Sequence, residues 1–323
     1  MRIRFNSDFD EIISLENLLL AWIEFIKGKR KKPDVLMFQW NLTDNIISLH
    51  NELKNKYYKH GRYKTFLVCD PKLRIIHKAT VKDRLLHRAI YRILYPFFDK
   101  TFCHSSFSCR KGKGTHKALN YFTLCSRKIS KNNTKPCWVL KCDIRKFFAS
   151  INRGILINIL RKYIFDRNIL WLLRNIIYSF DNGLPLGNLT SQLFSNIYLN
   201  ELDLFIKHNL KIKFYIRYAD DFVILSDDKY YLKTILNHID RFLKEKLRLS
   251  LHEDKIFIKS YYSGIDFLGW VHFPYNRVLR TISRRRLQNK FKNNSNQETI
   301  ASYVGLLKHG NTYKLKKKLK FPV

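Results

Sequence analysis

The sequence is poor in the residues that mark several common protein classes. It has 6 cysteines, 11 glycines and 7 prolines among 323 residues. The cysteines contain no CxxC pair, and no histidine spacing completes a zinc site. They are therefore expected to be small buried hydrophobes in a reducing compartment, which indicates a cytoplasmic protein. Internal repeats and Gly/Ser-rich or Pro-rich linkers are also absent, so any subdomains are expected to pack closely.

The sequence also lacks a long hydrophobic run. No apolar stretch approaches the roughly 18 to 20 residues that a membrane span requires. The stretch "ISLENLLLAWIEFIKGK" is interrupted by Glu16 and Glu24 and predicts an amphipathic helix instead. The opening "MRIRFNSDFDEII" does not have the layout of a signal peptide.

Acidic residues are scarce relative to basic ones. The chain has 61 Lys and Arg against 26 Asp and Glu, a formal charge of +35. A surface this basic indicates a polyanionic partner. Because no membrane-binding segment is evident, nucleic acid is favoured over an anionic membrane.

Strands and helices alternate irregularly along the chain, which predicts an α+β fold rather than a doubly wound parallel sheet. The segments are predicted as follows: helices over 8–29 and 34–56, a hairpin over 63–79 with its turn at Asp70-Pro71, a helix over 81–100, a strand over 136–144 leading into a helix near Arg145, a helix over 167–180, a loop over 181–192, a helix over 193–209, a hairpin around Asp220, a helix over 233–247, strands over 250–260 and 264–273, and a basic helical tail.

Two adjacent carboxylates stand between the apolar runs of "FYIRYADDFVIL". Asp220 and Asp221 are predicted at the tip of a tight hairpin. Neighbouring carboxylates raise each other's pKa unless a cation neutralises them. On its own such a pair is more often a polar turn, since Asp is an ordinary turn residue.

A third carboxylate favours a metal site. Asp143 ends the apolar strand "WVLKC", and period-2 alternation places Val139, Lys141 and Asp143 on one face. Three carboxylates at two strand ends can hold two Mg²⁺, or Mn²⁺ as a substitute, for nucleotidyl transfer. Asp143 and Asp220 would ligate both ions with the Ile144 carbonyl assisting, and Asp221 would support them.

The ordered series Asp143, "GLPLGNLTSQLFSNIYL", "YADD" and "GIDFLGW" resembles the motifs of reverse transcriptases across nearly the whole chain. The resemblance implies a right-hand polymerase fold. Its expected parts are N-terminal helices and fingers over 1–136, a palm over 137–272 with fingers elements within about 150–190, and a short helical thumb over 273–323. No sequence remains to form an RNase H domain.

The resemblance also assigns residues to the incoming nucleotide. Arg74 matches the arginine that grips the triphosphate, and Lys72 is a second contact or a solvated turn lysine. Phe148 lies where the family has a bulky gate against the ribose 2′-hydroxyl, the alternative being a core phenylalanine. Arg84 is expected to help hold the fingers on the palm.

The loop "GLPLGNLTSQ" indicates a subclass. Many reverse transcriptases have PQG and SP here, whereas this chain has Leu186 and Gln192 at the exchanged positions. This form resembles the reverse transcriptases of diversity-generating retroelements, which copy template adenines with errors. Losing an amide beside the nascent base pair would loosen geometric checking. Gly187 would let the backbone approach the nucleotide closely.

Three further assignments follow from the same resemblance. Lys255 matches a lysine that protonates or neutralises departing pyrophosphate. "GIDFLGW" matches the primer grip, with Gly264, Phe267, Leu268 and Gly269. "SYVGLLKHGNTYKL" resembles thumb helices, whose basic residues would follow a duplex backbone.

The function expected from these observations is an RNA-directed DNA polymerase of bacterial, archaeal or phage origin that performs mutagenic retrohoming. Its implied partners are a structured retroelement RNA that supplies the template, a cDNA or DNA primer, dNTPs, and a small basic accessory variability protein that forms a pentamer. Two alternatives remain open: a retron or antiphage-defence reverse transcriptase, and a maturase-like RNA-binding relative.

Overall fold

The computed structural model describes residues 3–69, 73–292 and 297–319. The helices are α1 (Phe9–Ile13), α2 (Leu15–Phe25), α3 (Pro33–Trp40), α4 (Leu42–Lys54), α5 (Val81–Thr101), α6 (Thr115–Ile129), α7 (Phe147–Ser150), α8 (Arg153–Arg161), α9 (Arg167–Ile177), α10 (Leu189–Leu204), α11 (Lys229–Phe242), α12 (Thr281–Lys292), α13 (Gln297–Leu307) and α14 (Tyr313–Lys318).

The strands are β1 (Lys64–Cys69), β2 (Leu73–Lys78), β3 (Trp138–Asp143), β4 (Tyr215–Tyr218), β5 (Asp221–Ser226), β6 (Phe257–Ser260), β7 (Ile265–Phe267), β8 (Trp270–His272) and β9 (Arg277–Leu279). They form a two-stranded sheet, a four-stranded sheet in the order β4-β5-β3-β6 and a three-stranded sheet in the order β7-β8-β9. Every pairing between these strands is antiparallel. The predicted α+β class is confirmed.

The chain forms two compact units, each drawn from three segments. The first unit comprises Met1–Cys103, Ile144–Phe205 and Phe242–Ser250. The second comprises His104–Asp143, Ile206–Arg241 and Leu251–Val323. The first unit therefore contains the β1–β2 hairpin and most of the helices, and the second contains the other two sheets.

The first unit is organised around the long helix α5. Helices α2 and α10 both pack against it, and its apolar positions are buried. Asp83, in the first turn of α5, is buried and accepts hydrogen bonds from Tyr58 and Thr80. Arg84 forms an ion pair with Asp34 of α3, so this arginine is used within the first unit.

The second unit has one continuous apolar core. Strand β3 is buried on both faces, and Val139 packs with residues of β4, β5 and α6. The core extends into the three-stranded sheet through Phe267 and Trp270. This core anchors the strand ends that carry the predicted carboxylates.

Several predicted boundaries were wrong, each for a local reason. The helix predicted over 8–29 breaks at Ser14, whose hydroxyl accepts the N–H of Asn17 at 3.1 Å and starts a second helix. The helix predicted over 34–56 breaks at Asn41, which has φ −113° and ψ 43°. The segment predicted as a loop up to residue 192 becomes helical at Leu189, so Gln192 lies in the first turn of α10.

The predicted strand over 264–273 is a hairpin instead. Strands β7 and β8 are joined by Leu268 and Gly269, which have φ values of +50° and +85°. Two successive positive φ values are typical of the two-residue turns that match the twist of hairpin strands. Only 257–260 of the strand predicted over 250–260 is extended, because Glu253–Lys255 forms a 3₁₀ turn.

Candidate active site

The predicted carboxylates lie at one end of the four-stranded sheet in the second unit, where β3 ends and β5 begins. Strands β3 and β5 pair so that Asp143 is directly opposite Asp221. Residues in this relation have Cβ atoms about 4.5 to 5.5 Å apart, and like charges there destabilise the sheet. The pairing therefore brings two of the predicted carboxylates together and creates a need for cations.

Asp220 comes from the tip of the β4–β5 hairpin, as predicted. Tyr218 pairs with Asp221, so Ala219 and Asp220 form the two-residue connection. Ala219 has φ +55°, a conformation that costs energy in a residue with a side chain. The tight two-residue turn requires this conformation, and it places Asp220 next to the opposed pair of Asp143 and Asp221.

Two lysines neutralise the opposed carboxylates. The Nζ atom of Lys255 lies 2.6 Å from Oδ1 of Asp143. The Nζ atom of Lys141 lies 3.3 Å from Oδ2 of Asp221 and donates to the Asp266 carbonyl at 2.9 Å. Lys141 is only 9% exposed, so its charge acts with little screening by water.

The surroundings of Asp221 perturb its carboxyl group. Burial is the main cause that raises its pKa to about 6, with the Asp143 and Asp220 carboxylates adding to the rise and the Lys141 ammonium opposing it. Its Oδ1 atom is buried and has no hydrogen-bond partner in the described part of the chain. A buried carboxylate oxygen without a donor is costly, and a bound cation would satisfy it.

The ion pairs also bear on metal binding. Among the residues that the structure describes, no three Asp, Glu, His or Cys side chains converge as a metal site. Lys255 forms an ion pair with Asp143, and its ammonium lies where a bound cation would lie. The carboxylates fit a divalent ion by chemistry, since oxygen ligands suit Mg²⁺, and the orphaned Oδ1 of Asp221 is a vacant ligand atom.

Arg217 supports the hairpin tip and was not singled out by the sequence. It is fully buried on β4, and its Nη1 donates to the Ala219 carbonyl at 3.2 Å. Its backbone is bonded on both sides, to Ser105 and Phe107. The signal available in the sequence was a charged residue two positions before the tip, within an otherwise apolar strand. Lys141 in "WVLKCD" gives the same kind of signal, two positions before Asp143.

The residues predicted to contact the nucleotide lie in the first unit. The Leu186 carbonyl accepts the N–H of His77 on β2 at 3.0 Å, and Asn188 Nδ2 donates to the His77 carbonyl at 3.2 Å. A Cβ atom on Gly187, which has φ +105°, would lie 2.7 Å from Cγ2 of Ile76. The 186–188 segment therefore grips the β1–β2 hairpin.

These contacts place two of the predicted nucleotide-binding residues, Arg74 and Gly187, on one face of the hairpin. Arg74 and Ile76 are two residues apart on β2 and so point to the same side. Gly187 contacts that side through Ile76. Arg74 is exposed there, with its guanidinium unpaired in the described part of the chain. Lys72 lies outside the described residues.

Phe147 and Phe148, which are adjacent in sequence, differ in burial. Phe147 is 3% exposed, whereas Phe148 is half-buried. The Phe148 carbonyl accepts the N–H of Leu184 at 2.8 Å, and a Cβ atom on Gly183 would lie 2.1 Å from that carbonyl oxygen. The backbone of Phe148 is thus fixed by the start of the "GLPLG" loop. Ile144, which follows Asp143, is buried.

The predicted primer-grip residues form the β7–β8 hairpin of the second unit. Phe267 is buried in the core, while Leu268 and Gly269 make the turn. Gly264 has φ +83°, and a Cβ atom there would lie 2.6 Å from the Phe273 ring. The glycines are therefore required by the backbone, and their predicted contact with a primer stays a prediction.

Comparison with known proteins gives a family match over most of the chain. The sequence model of the family described as "Reverse transcriptase (RNA-dependent DNA polymerase)" matches residues 59–272. The match begins before the β1–β2 hairpin and ends with β8. It therefore contains all three carboxylates, the "GLPLG" loop and the primer-grip hairpin.

Two curated relatives are similar over most of this chain. Protein YkfC of Escherichia coli (strain K12) is 25% identical over 292 residues, covering 77% of this chain and 74% of that protein. The group II intron-encoded protein LtrA of Lactococcus lactis subsp. cremoris is 23% identical over 276 residues, covering 62% of this chain and 44% of LtrA. The chain thus spans less than half the length of LtrA.

A solved structure is similar in fold. The apo telomerase of Candida tropicalis, truncated from its C-terminal domain, superposes with a TM-score of 0.50 at 13% identity. The superposition covers 73% of this chain and 60% of that one. No helix in the described part of the chain is long and apolar enough to cross a membrane.

Proposed function

Because the chain belongs to the reverse transcriptase family, we propose that it copies an RNA template into DNA by nucleotidyl transfer at Asp143, Asp220 and Asp221. One observation carries this proposal. Strand pairing sets Asp143 opposite Asp221 at a sheet edge, with Asp220 at the adjoining tip. A protein without need of cations there would avoid such a cluster, because it opposes folding.

We infer that two Mg²⁺ ions, replaceable by Mn²⁺, bind at these carboxylates with the Ile144 carbonyl assisting. The orphaned Oδ1 of Asp221 supports this assignment. When bound, such ions activate a primer 3′-hydroxyl and stabilise the departing pyrophosphate. In this proposal Asp143 would hold the ions in place of its Lys255 partner, whereas Lys141 would stay paired with Asp221 and keep that carboxylate oriented.

Lys255 has two tasks in this proposal. Its ammonium neutralises Asp143 in the protein alone, at 2.6 Å. With a cation on Asp143, the same ammonium would be available to donate a proton to pyrophosphate or to neutralise its charge. The side chain is 38% exposed, which leaves it room to change partner.

The first unit supplies the proposed nucleotide contacts. Arg74, with Lys72, would bind the triphosphate, since a guanidinium matches phosphate oxygens in a bidentate manner. Phe148 would exclude the ribose 2′-hydroxyl. Leu186, Gly187 and Gln192 would lie beside the nascent base pair. The support for these roles is the family motif order together with the grip of residues 186–188 on β2.

The direct test is extension of a DNA primer on an RNA template by the purified chain. We expect dNTP incorporation that requires Mg²⁺ and stops when a chelator removes the ion. Incorporation that needs no template, or that continues unchanged in the chelator, would contradict the proposal. The structured RNA from the same locus should be supplied as a second template, since the +35 charge suits extensive RNA binding.

At the finer level we propose that the polymerase is error-prone and belongs to a diversity-generating retroelement. Leu186 supports this, because an aliphatic side chain replaces the amide that would check the nascent pair. The expected partners are a template-repeat RNA and a basic accessory protein that forms a pentamer. Joining two cationic proteins requires RNA or apolar contacts, and the exposed Ile23, Met37 and Trp40 offer the latter.

Replacement of Leu186 by glutamine tests the subclass. We expect Leu186→Gln to lower misincorporation opposite template adenine severalfold, because the restored amide again senses pair geometry. Sequenced extension products of both proteins provide the measurement. An unaltered error spectrum would rule out this position as a main determinant, and accurate copying by the unmodified chain would favour the retron or defence alternative.

The maturase-like alternative has one specific observation in its favour. LtrA, to which the chain is similar, is encoded by a group II intron. A maturase-like relative would bind its RNA tightly and extend no primer under any template condition. The three carboxylates argue against that reading, because RNA binding alone has no use for an acidic cluster.

A further inference from the structure

Helices α8 and α9 of the first unit form an open cavity that none of the proposed catalytic roles uses. Its volume is about 550 Å³. Its apolar lining includes Ile157, Ile164, Leu170 and Trp171, together with Phe165, which is 60% exposed. An exposed phenylalanine at the mouth of an apolar cavity is costly in water and indicates a binding surface.

Arginines surround this cavity. Arg161, Arg167 and Arg174 line it and are exposed. Arg4 lies above the Phe165 ring, with its Cζ atom 5.0 Å from the ring centroid. Within the described ranges, none of these four guanidinium groups is paired with a carboxylate. The rim therefore carries four positive charges without a carboxylate partner, of which Arg174 also lies over the Tyr178 ring at 5.4 Å.

The acidic side chain between Phe165 and Arg167 is already engaged by the backbone. Asp166 Oδ1 accepts the N–H groups of Asn168 and Ile169, and its Oδ2 accepts that of Phe9. Asp166 thus caps α9 and ties the N-terminal segment to it.

Two details indicate that the rim arginines do not serve to stabilise the fold. Arg167 is the first residue of α9, where the positive end of the helix dipole disfavours a cation. Arg174 stands two helical turns further along the same face, with Trp171 between them. Trp171 is itself held in place by Lys56, whose Nζ atom is 4.7 Å from its ring centroid.

We propose that this cavity binds an unpaired nucleobase of an RNA loop, with the rim arginines on the flanking phosphates. Stacking on an aromatic ring accepts any base and is the usual way that proteins bind unpaired nucleotides. A guanidinium pairs with phosphate and also stacks, so arginine suits both parts of the ligand. An acidic peptide would satisfy the charges and leave the apolar lining without a partner.

The site lies wholly within the first unit and contains none of the residues proposed to bind metal, nucleotide or primer. It would therefore hold a structured part of the RNA rather than the bases being copied. Loss of this binding and loss of polymerisation can be told apart, because a short primer–template without a loop does not need the cavity.

The test uses a fluorescein-labelled RNA hairpin with an unpaired loop and a fully paired RNA duplex with the same number of phosphates. Anisotropy titrations at fixed salt give the affinity of the full chain for each. We expect Phe165→Ala to weaken hairpin binding about fivefold and to leave duplex binding nearly unchanged, since one stacked base is lost. Arg161→Ala with Arg174→Ala should weaken the hairpin more than the duplex.

A charge-matched control separates this site from the general positive charge. Lys27 and Arg30 are exposed in the same unit and away from α8 and α9 in sequence. Lys27→Ala with Arg30→Ala removes two charges as well, and it should weaken hairpin and duplex equally. A Phe165→Ala protein that unfolds at the temperature of the unmodified chain and extends a short primer–template normally confirms that folding and catalysis are intact.

Two results would overturn the proposal. One is a hairpin affinity that Phe165→Ala leaves unchanged. The other is a poly-glutamate peptide whose binding depends on Phe165 and the rim arginines while RNA binding does not, which would indicate an acidic protein partner. As a second measurement, a 4-thiouridine in the loop should cross-link within residues 157–174, and cross-links found only elsewhere would contradict the site.

Discussion

At the scale of single residues, several buried polar groups are held without a full set of partners. His272 on β8 is 1% exposed, and its ring lies 4.6 Å from that of Phe122. Its Nε2 atom has no hydrogen-bond partner among the described residues. Burial, with a smaller contribution from the nearby Arg277 guanidinium, lowers the pKa of His272 to about 3.

This lowered pKa predicts a loss of stability in mild acid. The unfolded chain binds a proton on this histidine below about pH 6.5, whereas the folded chain does not until about pH 3. Above pH 6.5 the histidine is neutral in both states, and the folded protein has its full stability. As the pH decreases, protonation of this histidine in the unfolded chain alone lowers the free energy of unfolding. Between pH 7 and pH 5 the loss from this group is about 2 kcal/mol.

Chemical denaturation at the two pH values measures this effect. The free energy of unfolding of His272→Phe should fall by about 2 kcal/mol less than that of the unmodified chain. The same substitution at His238, which is exposed on α11, serves as the control. Equal pH dependence in His272→Phe and the unmodified chain would contradict the assignment.

A second prediction concerns the sugar gate. Phe148→Ala should raise ribonucleotide incorporation relative to dNTP incorporation on the order of tenfold, because the ring no longer meets the 2′-hydroxyl. The ratio of kcat/KM for the two nucleotides is the measurement. Phe147→Ala should cost stability instead, since this ring is buried. An unchanged ratio in Phe148→Ala would assign the gate to another side chain.

The residue scale also shows what the sequence could predict. Motif order was enough to single out Asp143, Asp220 and Asp221, because the hairpin and the strand end were both recognisable. Alternation placed Lys141 on the Asp143 face without identifying its partners. Those partners, Asp221 and the Asp266 carbonyl, lie 80 (221 − 141) and 125 positions further along the chain, a distance at which no local pattern specifies contacts.

At the scale of elements, the link between the "GLPLG" loop and the β1–β2 hairpin is the main new feature. The loop bonds both the N–H and the carbonyl side of His77. One of these bonds comes from the Leu186 carbonyl and the other from the Asn188 side chain. The exposed hairpin has few buried side chains of its own, so this grip is a principal restraint on the position of Arg74.

Gly187→Ala tests this restraint. An alanine there would have φ +105° and would press its Cβ atom against Ile76, at 2.7 Å. Gly28→Ala is the matched control, since Gly28 has φ +71° and nothing within 4 Å of the added atom. Both changes should cost roughly 1 kcal/mol of backbone strain, and only the first should loosen the hairpin.

Hydrogen exchange followed by mass spectrometry measures the difference. We expect faster exchange in peptides that cover residues 73–78 for Gly187→Ala and normal exchange there for Gly28→Ala. Equal protection of that hairpin in the two variants would show that the loop does not restrain it.

Sequence patterns predicted long elements well and their breaks poorly. Helix α5 and the β1–β2 and β4–β5 hairpins were recognised from apolar spacing and turn residues. The break at Ser14 was missed because the apolar spacing continues through it, and only the capping hydroxyl marks it. Helices α6 and α8 and strand β9 were not predicted. The two helices have apolar residues at helical spacing, so their signal was present in the sequence, whereas the three residues of β9 are too few to form a pattern.

At the scale of the whole molecule, the charge and the acidic cluster have opposite signs and complementary uses. The excess of 35 positive charges favours RNA as the partner. The three carboxylates at the neighbouring ends of β3 and β5 are the proposed site of catalysis. Because each compact unit combines three chain segments, the predicted bounds of fingers, palm and thumb stay a prediction based on motif order.

The central claim is tested most directly by single-nucleotide incorporation with two paired variants. Asp220→Ala with Asp221→Ala removes the proposed metal ligands. Asp227→Ala with Asp228→Ala removes an adjacent, exposed pair at the other end of β5 and is the matched control. We expect a loss on the order of a thousandfold in the first variant, with RNA affinity nearly unchanged, and near-normal incorporation in the second. Retained synthesis in the Asp220 and Asp221 variant would contradict it.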